Sequence, residues 1–187
     1  MSLPLGSFSR ACGALGDLPA AIPTGAEIQN PAFRNSPLQL VVFIAEGQRY
    51  ALPLLTVQRV LPMVAVSPLP KGPAIALGVI NLHGQVVPVL DIRRRFGLPP
   101  RDYGLTGHLL VARTSRRTLA LAVDEALGVS EVAGEAVTQP DAVLPGIGHV
   151  AGIVTLSDGL LFIHDLEGFL SLDEEQRLTE AREAMER

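Results

Sequence analysis

Part of this chain occurs twice, and that restricts its fold more than any other feature. Residues 78–96, GVINLHGQVVPVLDIRRRF, align without gaps to residues 152–170, GIVTLSDGLLFIHDLEGFL. Gly78 and Gly152 lead the two copies, and Asp91 and Asp165 fall at the same later position. Upstream, ALPLLTVQRV (51–60) matches ALAVDEALGV (120–129) more loosely. A two-part unit therefore recurs at an offset of about 70 residues. Any fold for this chain has to be built from two similar halves.

Each half reads as β. LQLVVFIA, QRYALPL, ALGVINL, QVVPVLD, HLLVAR, TLALAV, VAGIVTL and LLFIHD are short runs rich in Val, Ile and Leu. Two-residue turn signals, Glu46-Gly47, His83-Gly84 and Asp158-Gly159, separate several of them. Strands this short, without long helices between them, point to small closed barrels rather than a parallel α/β sheet. Two similar barrels packed together follow, with a cleft between them as the expected place for binding. Asp91 and Asp165 are each placed to cap a helical turn, and Gly97 ends the first.

The repeats sit within residues 38–170. Residues 1–37, with five Pro, four Gly and four Ser, read as a flexible extension. Residues 171–187, SLDEEQRLTEAREAMER, read as a helix opened by a Ser171–Glu174 capping box. Its thin apolar stripe of Leu178, Ala181 and Met185 could dock on the body or on a partner.

Composition removes several function classes. Hydrophobic residues are 48 % and charged residues 18 %, enough for a real core and too apolar for dominant disorder. The net charge of −4 and the 4 % aromatic content, with no Trp, argue against a nucleic-acid surface. The single cysteine, Cys12, excludes an internal disulfide and multi-Cys metal sites. No apolar run approaches the ~18 residues of a membrane span, and no secretory leader pattern opens the chain, so the protein reads as cytoplasmic.

Catalytic constellations are missing. The four His residues, His83, His108, His149 and His164, show no metal-binding spacing. Gly146-Ile147-Gly148 opens a β run rather than a nucleotide-binding helix. Asp124-Glu125 sits at a strand end, where a structural role outweighs acid–base work. Arg93-Arg94-Arg95, the one basic run, reads as a solvated turn or a contact for an acidic protein. An enzyme and a nucleic-acid binder both lack their chemistry. A protein–protein adaptor, which needs only shaped apolar surface and strand edges, remains.

The residue order then becomes informative as a whole. G-x-x-Y-x-L-P (Gly47, Tyr50, Leu52, Pro53), V-x-x-V (Val57, Val60), G-V-I-N-L-x-G (Gly78 to Gly84), V-V-P-V-L-D (Val86 to Asp91) and a late Val123-Asp124 resemble the CheW-like coupling proteins of bacterial chemosensory arrays. The resemblance covers residues 38–170. It implies an all-β fold of two SH3-like five-stranded β-barrels packed side by side, with the C-terminal α-helix appended. It also implies a non-catalytic, cofactor-free scaffold in the cytoplasm, at receptor arrays beneath the inner membrane. Its implied partners are the cytoplasmic tip of methyl-accepting chemoreceptors and a histidine kinase of the CheA type, without nucleic acid or membrane insertion. The alternative is an adaptor of a non-flagellar system, serving surface motility or second-messenger control. The family's docking groove carries over onto Val57, Gln58, Arg59, Val60, Asn81, Leu82, His83 and Gly84, with His108 and Val129 on the second barrel's side. At two positions the chain departs from the pattern. His83 stands where the family usually has Arg, and Arg59 where it has an acidic residue, so the usual opposite-charge pair is altered on both sides.

Overall fold

A computed structural model describes residues 37–104, 106–139 and 150–185. Cys12, His149, the 146–148 stretch and residues 1–36 of the extension lie outside the described residues. In chain order the elements are β1 (Pro37–Ala45), β2 (Gln48–Pro53), a 3-10 turn (Leu54–Thr56), β3 (Val57–Pro62), β4 (Ala76–Leu82), β5 (Gln85–Asp91) and α1 (Ile92–Arg95). They continue with β6 (His108–Arg113), β7 (Thr118–Val123), β8 (Glu125–Ala133), a 3-10 turn (Gly134–Ala136), β9 (Val137–Thr138), β10 (Val150–Leu156), β11 (Gly159–His164) and α2 (Leu172–Met185).

The strands form two sheets, ordered β8-β1-β2-β11-β10-β9 and β3-β6-β7-β5-β4. The fold is all-β with two similar units, as the repeat requires, but the repeats do not each close on themselves. The first two strands of each half join the last strands of the other. The cross-links are equivalent under the repeat: β11 runs parallel to β2 with Ile163 opposite Ala51, and β5 runs parallel to β7 with Val89 opposite Ala120.

This exchange explains the unbroken apolar runs. Leu40, Val42 and Ala51 join an apolar cluster confined to the first sheet, whereas Val41, Phe43 and Leu52 point the other way, into a cluster shared with the second sheet. Leu109, Val111, Ala120 and Ala122 fill the second unit, and Leu110, Ala112, Leu119 and Leu121 point into the shared cluster. Strands buried on both faces lose the polar alternation of a half-exposed strand. Each large apolar side chain fully buried this way contributes roughly 1.5–3 kcal/mol. The two units meet through this shared cluster of buried side chains, which also takes in Phe169 and Leu178.

The repeated Gly and Asp have separate causes. Both glycines sit at β-bulges, where the pairing register shifts between Ala76 and Gly78 and between Val150 and Gly152. A Cβ on Gly78 would lie 2.1 Å from the Ser67 carbonyl oxygen, and one on Gly152 2.4 Å from a Val137 methyl. Another segment crosses at that point in each half. Asp91 accepts from the Arg93 amide at 3.0 Å and starts α1, while Asp165 accepts from the Glu167 amide at 2.9 Å and orders a turn. The turns at Glu46-Gly47 and His83-Gly84 form with all four residues at positive φ. The third turn is shifted by one residue: Ser157 and Asp158 take its corners and Gly159 opens β11.

The α2 helix begins with the expected capping box. The Glu174 amide donates to Ser171 Oγ at 3.2 Å, and the Ser171 amide donates to Glu174 Oε2 at 2.9 Å. Leu178 and Ala181 are buried, whereas Met185 stays exposed, so the stripe docks on the body through its first two members. Arg95–Glu174 (2.5 Å) and Arg117–Glu175 (2.7 Å) fasten the same face.

Candidate functional site

The expected site residues fall on two edge strands and one turn. β3 forms one edge of the second sheet, and β8 forms one edge of the first. Each carries a bulge at the equivalent place. Val57 faces Ala112 and Arg59 faces Val111, so Gln58 is the extra residue of β3. Ala126 faces Phe43 and Gly128 faces Val42, so Leu127 is the extra residue of β8. A bulge bends a strand and redirects its side chains. Beyond it, Val60 is 42 % exposed on β3 and its repeat equivalent Val129 is 60 % exposed on β8.

The remaining positions divide into supports and surface. Val57 is half-buried against the shared cluster, and Leu82 is half-buried against the second unit's interior. Gln58, Arg59, Asn81, His83 and Gly84 are exposed. Asn81 Oδ1 accepts from the Gly84 amide at 2.7 Å and shapes the β4–β5 turn. Arg59 Nη1 lies 2.9 Å from His83 Nε2, bringing β3 and this turn together although they occupy opposite edges of their sheet.

Placement across the barrels differs from expectation. His108, assigned to the side opposite Val57, instead faces Pro62 of β3 within one sheet. Val129 is in the other sheet, but in the one that the first half's β1 and β2 help to build. Strand exchange is the reason, because it sends each half's third strand to the other half's first strand.

The Arg93-Arg94-Arg95 run lies in α1, and of its three side chains only Arg94 is exposed. Arg93 is fully buried, 2.5 Å from Glu46 Oε2 and 2.8 Å from Asp124 Oδ2, and it donates to the Pro99 carbonyl. Arg94 pairs with Asp91, and Arg95 with Glu174. The acidic partners belong to this chain itself. Burial alone would raise the Asp124 carboxyl, but hydrogen bonds from Arg93 and from the Glu46 amide outweigh it, leaving Asp124 below the usual carboxylate range. The hydrogen bond to Asp124 in turn pushes the Arg93 guanidinium further up. Since Asp124 immediately precedes β8, this clamp fixes the strand that presents Val129.

Sequence reasoning missed Leu55, Val64 and Leu127, which are also exposed and extend the apolar edges. Leu127 and Val129 are two residues apart, and that spacing was the available signal. Charge separates the two edges. Residues 54–66 contain Arg59 and no acid, whereas residues 125–139 contain Glu125, Glu131 and Glu135 and no base. Among the described residues, no three His, Cys, Asp or Glu side chains are grouped to hold a metal ion.

Comparison with known proteins gives a consistent set of likenesses. The family model described as CheW-like domain matches residues 39–174. The chain is 26 % identical over 155 residues to the chemotaxis protein CheW of Treponema pallidum, covering 79 % of this chain and 90 % of that one. It is 27 % identical over 139 residues to the chemotaxis protein CheW of Helicobacter pylori, covering 73 % and 83 % respectively. Among solved structures, the scaffolding protein TtCheW from Thermoanaerobacter tengcongensis superposes with a TM-score of 0.68 at 25 % identity, covering 74 % of this chain and 95 % of that one.

Proposed function

Because the chain belongs to the family of CheW-like domains, we propose that it is a non-catalytic adaptor of a bacterial chemosensory array. It joins the cytoplasmic tip of a chemoreceptor to a CheA-type histidine kinase. In this reading residues 37–170 are the adaptor body, one residue earlier than the sequence suggests because Pro37 already pairs with Ala133, and residues 171–185 hold a helix that braces it. The observation that carries the proposal is the pair of bulged edge strands, with Val60 and Val129 left exposed at equivalent positions. Leu160 on β11 is exposed singly, whereas Leu55, Val60 and Val64 lie on or beside one edge strand and Leu127 and Val129 on the other, so the exposed apolar side chains concentrate there. The relatives, named as chemotaxis proteins and a scaffolding protein, support the same reading. No helix of the described residues is long and apolar enough to cross a membrane, which agrees with a place beneath the inner membrane beside receptor tips.

A receptor's helical hairpin laid against β3, the β4–β5 turn and Val129 would desolvate apolar side chains worth roughly 1.5–3 kcal/mol each. Val60→Asp and Val129→Asp should each weaken binding of a receptor-tip fragment about 30-fold, roughly 2 kcal/mol. Both side chains are exposed in the free protein, so circular dichroism should be unchanged. Unaltered affinity in both folded variants would overturn the assignment of this face.

A further inference from the structure

We propose that Arg59 and His83 form a proton-linked receptor for a partner carboxylate, so that docking on the β3 face takes up a proton. The inference rests on the docking reading above and names the chemistry of its partner: a helix presenting Asp or Glu beside apolar side chains.

The geometry sets the charge state. A guanidinium carries donors only, so Arg59 Nη1, 2.9 Å from His83 Nε2, must donate. His83 Nε2 then accepts, which makes the imidazole neutral with its proton on Nδ1. The turn holds this arrangement, with His83 at φ 53° and Asn81 Oδ1 bound to the Gly84 amide.

The surroundings contain no acid that could neutralise a charged His83 from within its own elements. β3 and its flanks, residues 54–66, supply Arg59 as their only charge, and residues 74–90 carry no charged side chain apart from His83. The neighbouring β6 adds His108 and Arg113, and the end of α2, whose Arg182 and Met185 line a pocket with Asn81, adds Arg182 and Glu183. Protonating His83 in the free protein therefore sets imidazolium against guanidinium and removes the acceptor. A carboxylate arriving from a partner reverses that balance. It accepts from Arg59 and from a protonated His83 Nε2 together, and it favours the imidazolium. The β3 strand and the β4–β5 turn, which contribute Arg59 and no acid, select such a partner, whereas the Glu-bearing β8 edge does not.

Proton uptake is the discriminating observable. Carboxylates and guanidinium groups as classes keep their charges between pH 6 and 8, and imidazole does not. A receptor-tip hairpin fragment from the host's own genome is titrated calorimetrically at both pH values, in two buffers of different ionisation enthalpy. Binding should be about 3- to 10-fold tighter at pH 6, with net proton uptake. His83→Gln should bind with no pH dependence and no proton uptake, which separates His83 from His108. In the free protein, side-chain 15N shifts should show His83 as the Nδ1–H tautomer at pH 8. Equal affinity at both pH values, pH dependence surviving in His83→Gln, or a dominant Nε2–H tautomer would each overturn the proposal while leaving the docking face intact. A fragment that binds at neither pH would instead remove the docking reading, and this inference with it.

Discussion

Arg93 shows how one residue couples the two units. Its guanidinium is fully buried, it follows β5 of the second sheet, and it grips Glu46 in the β1–β2 turn of the first. Arg93→Ala leaves Asp124 partly accessible and Glu46 exposed, so what is lost is mainly the charge-assisted hydrogen bonds of the guanidinium, about 1.5–3 kcal/mol each. Arg93→Ala should therefore lower the melting temperature by on the order of 10 °C, read by thermal denaturation; a change of a degree or less would mean that the shared apolar cluster alone joins the units. The acids carry a pH signature. Asp124 and Glu174 both titrate below their ordinary values in the folded state, so their stabilisation is complete above the unfolded carboxylate range, near pH ~4, and is lost as pH falls through the lower folded values. Urea midpoints at pH 7 and pH 3 should drop less for the Asp124→Asn, Glu174→Gln double variant than for the unaltered protein. Equal drops would contradict the assignment. None of this could be read from the basic run itself, because Glu46 and Asp124 are remote from Arg93 in sequence and only the fold assembles them.

Among the elements, the hairpins and the capping box were legible because their signals are local. Paired turn residues at positive φ and Ser171 three residues before Glu174 are decided within a few positions. The bulges at Gln58 and Leu127 were not, since a bulge depends on the register of a partner strand. The same holds for the repeated glycines, which were visible as a pattern long before their reason was. Their substitution should separate two kinds of crowding. Gly78→Ala drives a methyl toward the Ser67 carbonyl, which accepts from the Val79 amide at 2.8 Å while the Ser67 amide donates back to the Val79 carbonyl at 2.9 Å. Gly152→Ala meets a single Val137 methyl rather than backbone, and Gly152 lacks the positive φ of Gly78. Gly78→Ala should thus be the more damaging of the two in chemical denaturation; the reverse order would mean that the Ser67 crossing is readily displaced. For α2, Leu178→Ala should cost about 2–5 kcal/mol, because Leu178 belongs to the shared cluster and not to a solvent-facing stripe.

At the scale of the whole molecule, duplication was legible and strand exchange was not. Apolar runs record that a strand is buried on both faces without recording which strand lies beside it. Exchange has a direct consequence: residues 1–104 lack the β6 and β8 neighbours of β3 and β1, and residues 105–187 lack β1 and β3 in return. Each fragment should be unfolded alone, and the two should regain β structure by circular dichroism when mixed; a fragment that folds alone would contradict the pairing. The same architecture sets two equivalent edges, β3 and β8, on units joined by a shared buried cluster. The most direct test is co-sedimentation of the cognate histidine kinase with membranes bearing the cognate chemoreceptor, with and without this protein. The kinase should enter the membrane fraction only when the protein is present, and should leave it when Val60→Asp, Val129→Asp replaces the unaltered chain. Kinase sedimenting equally in all three conditions would contradict the adaptor role.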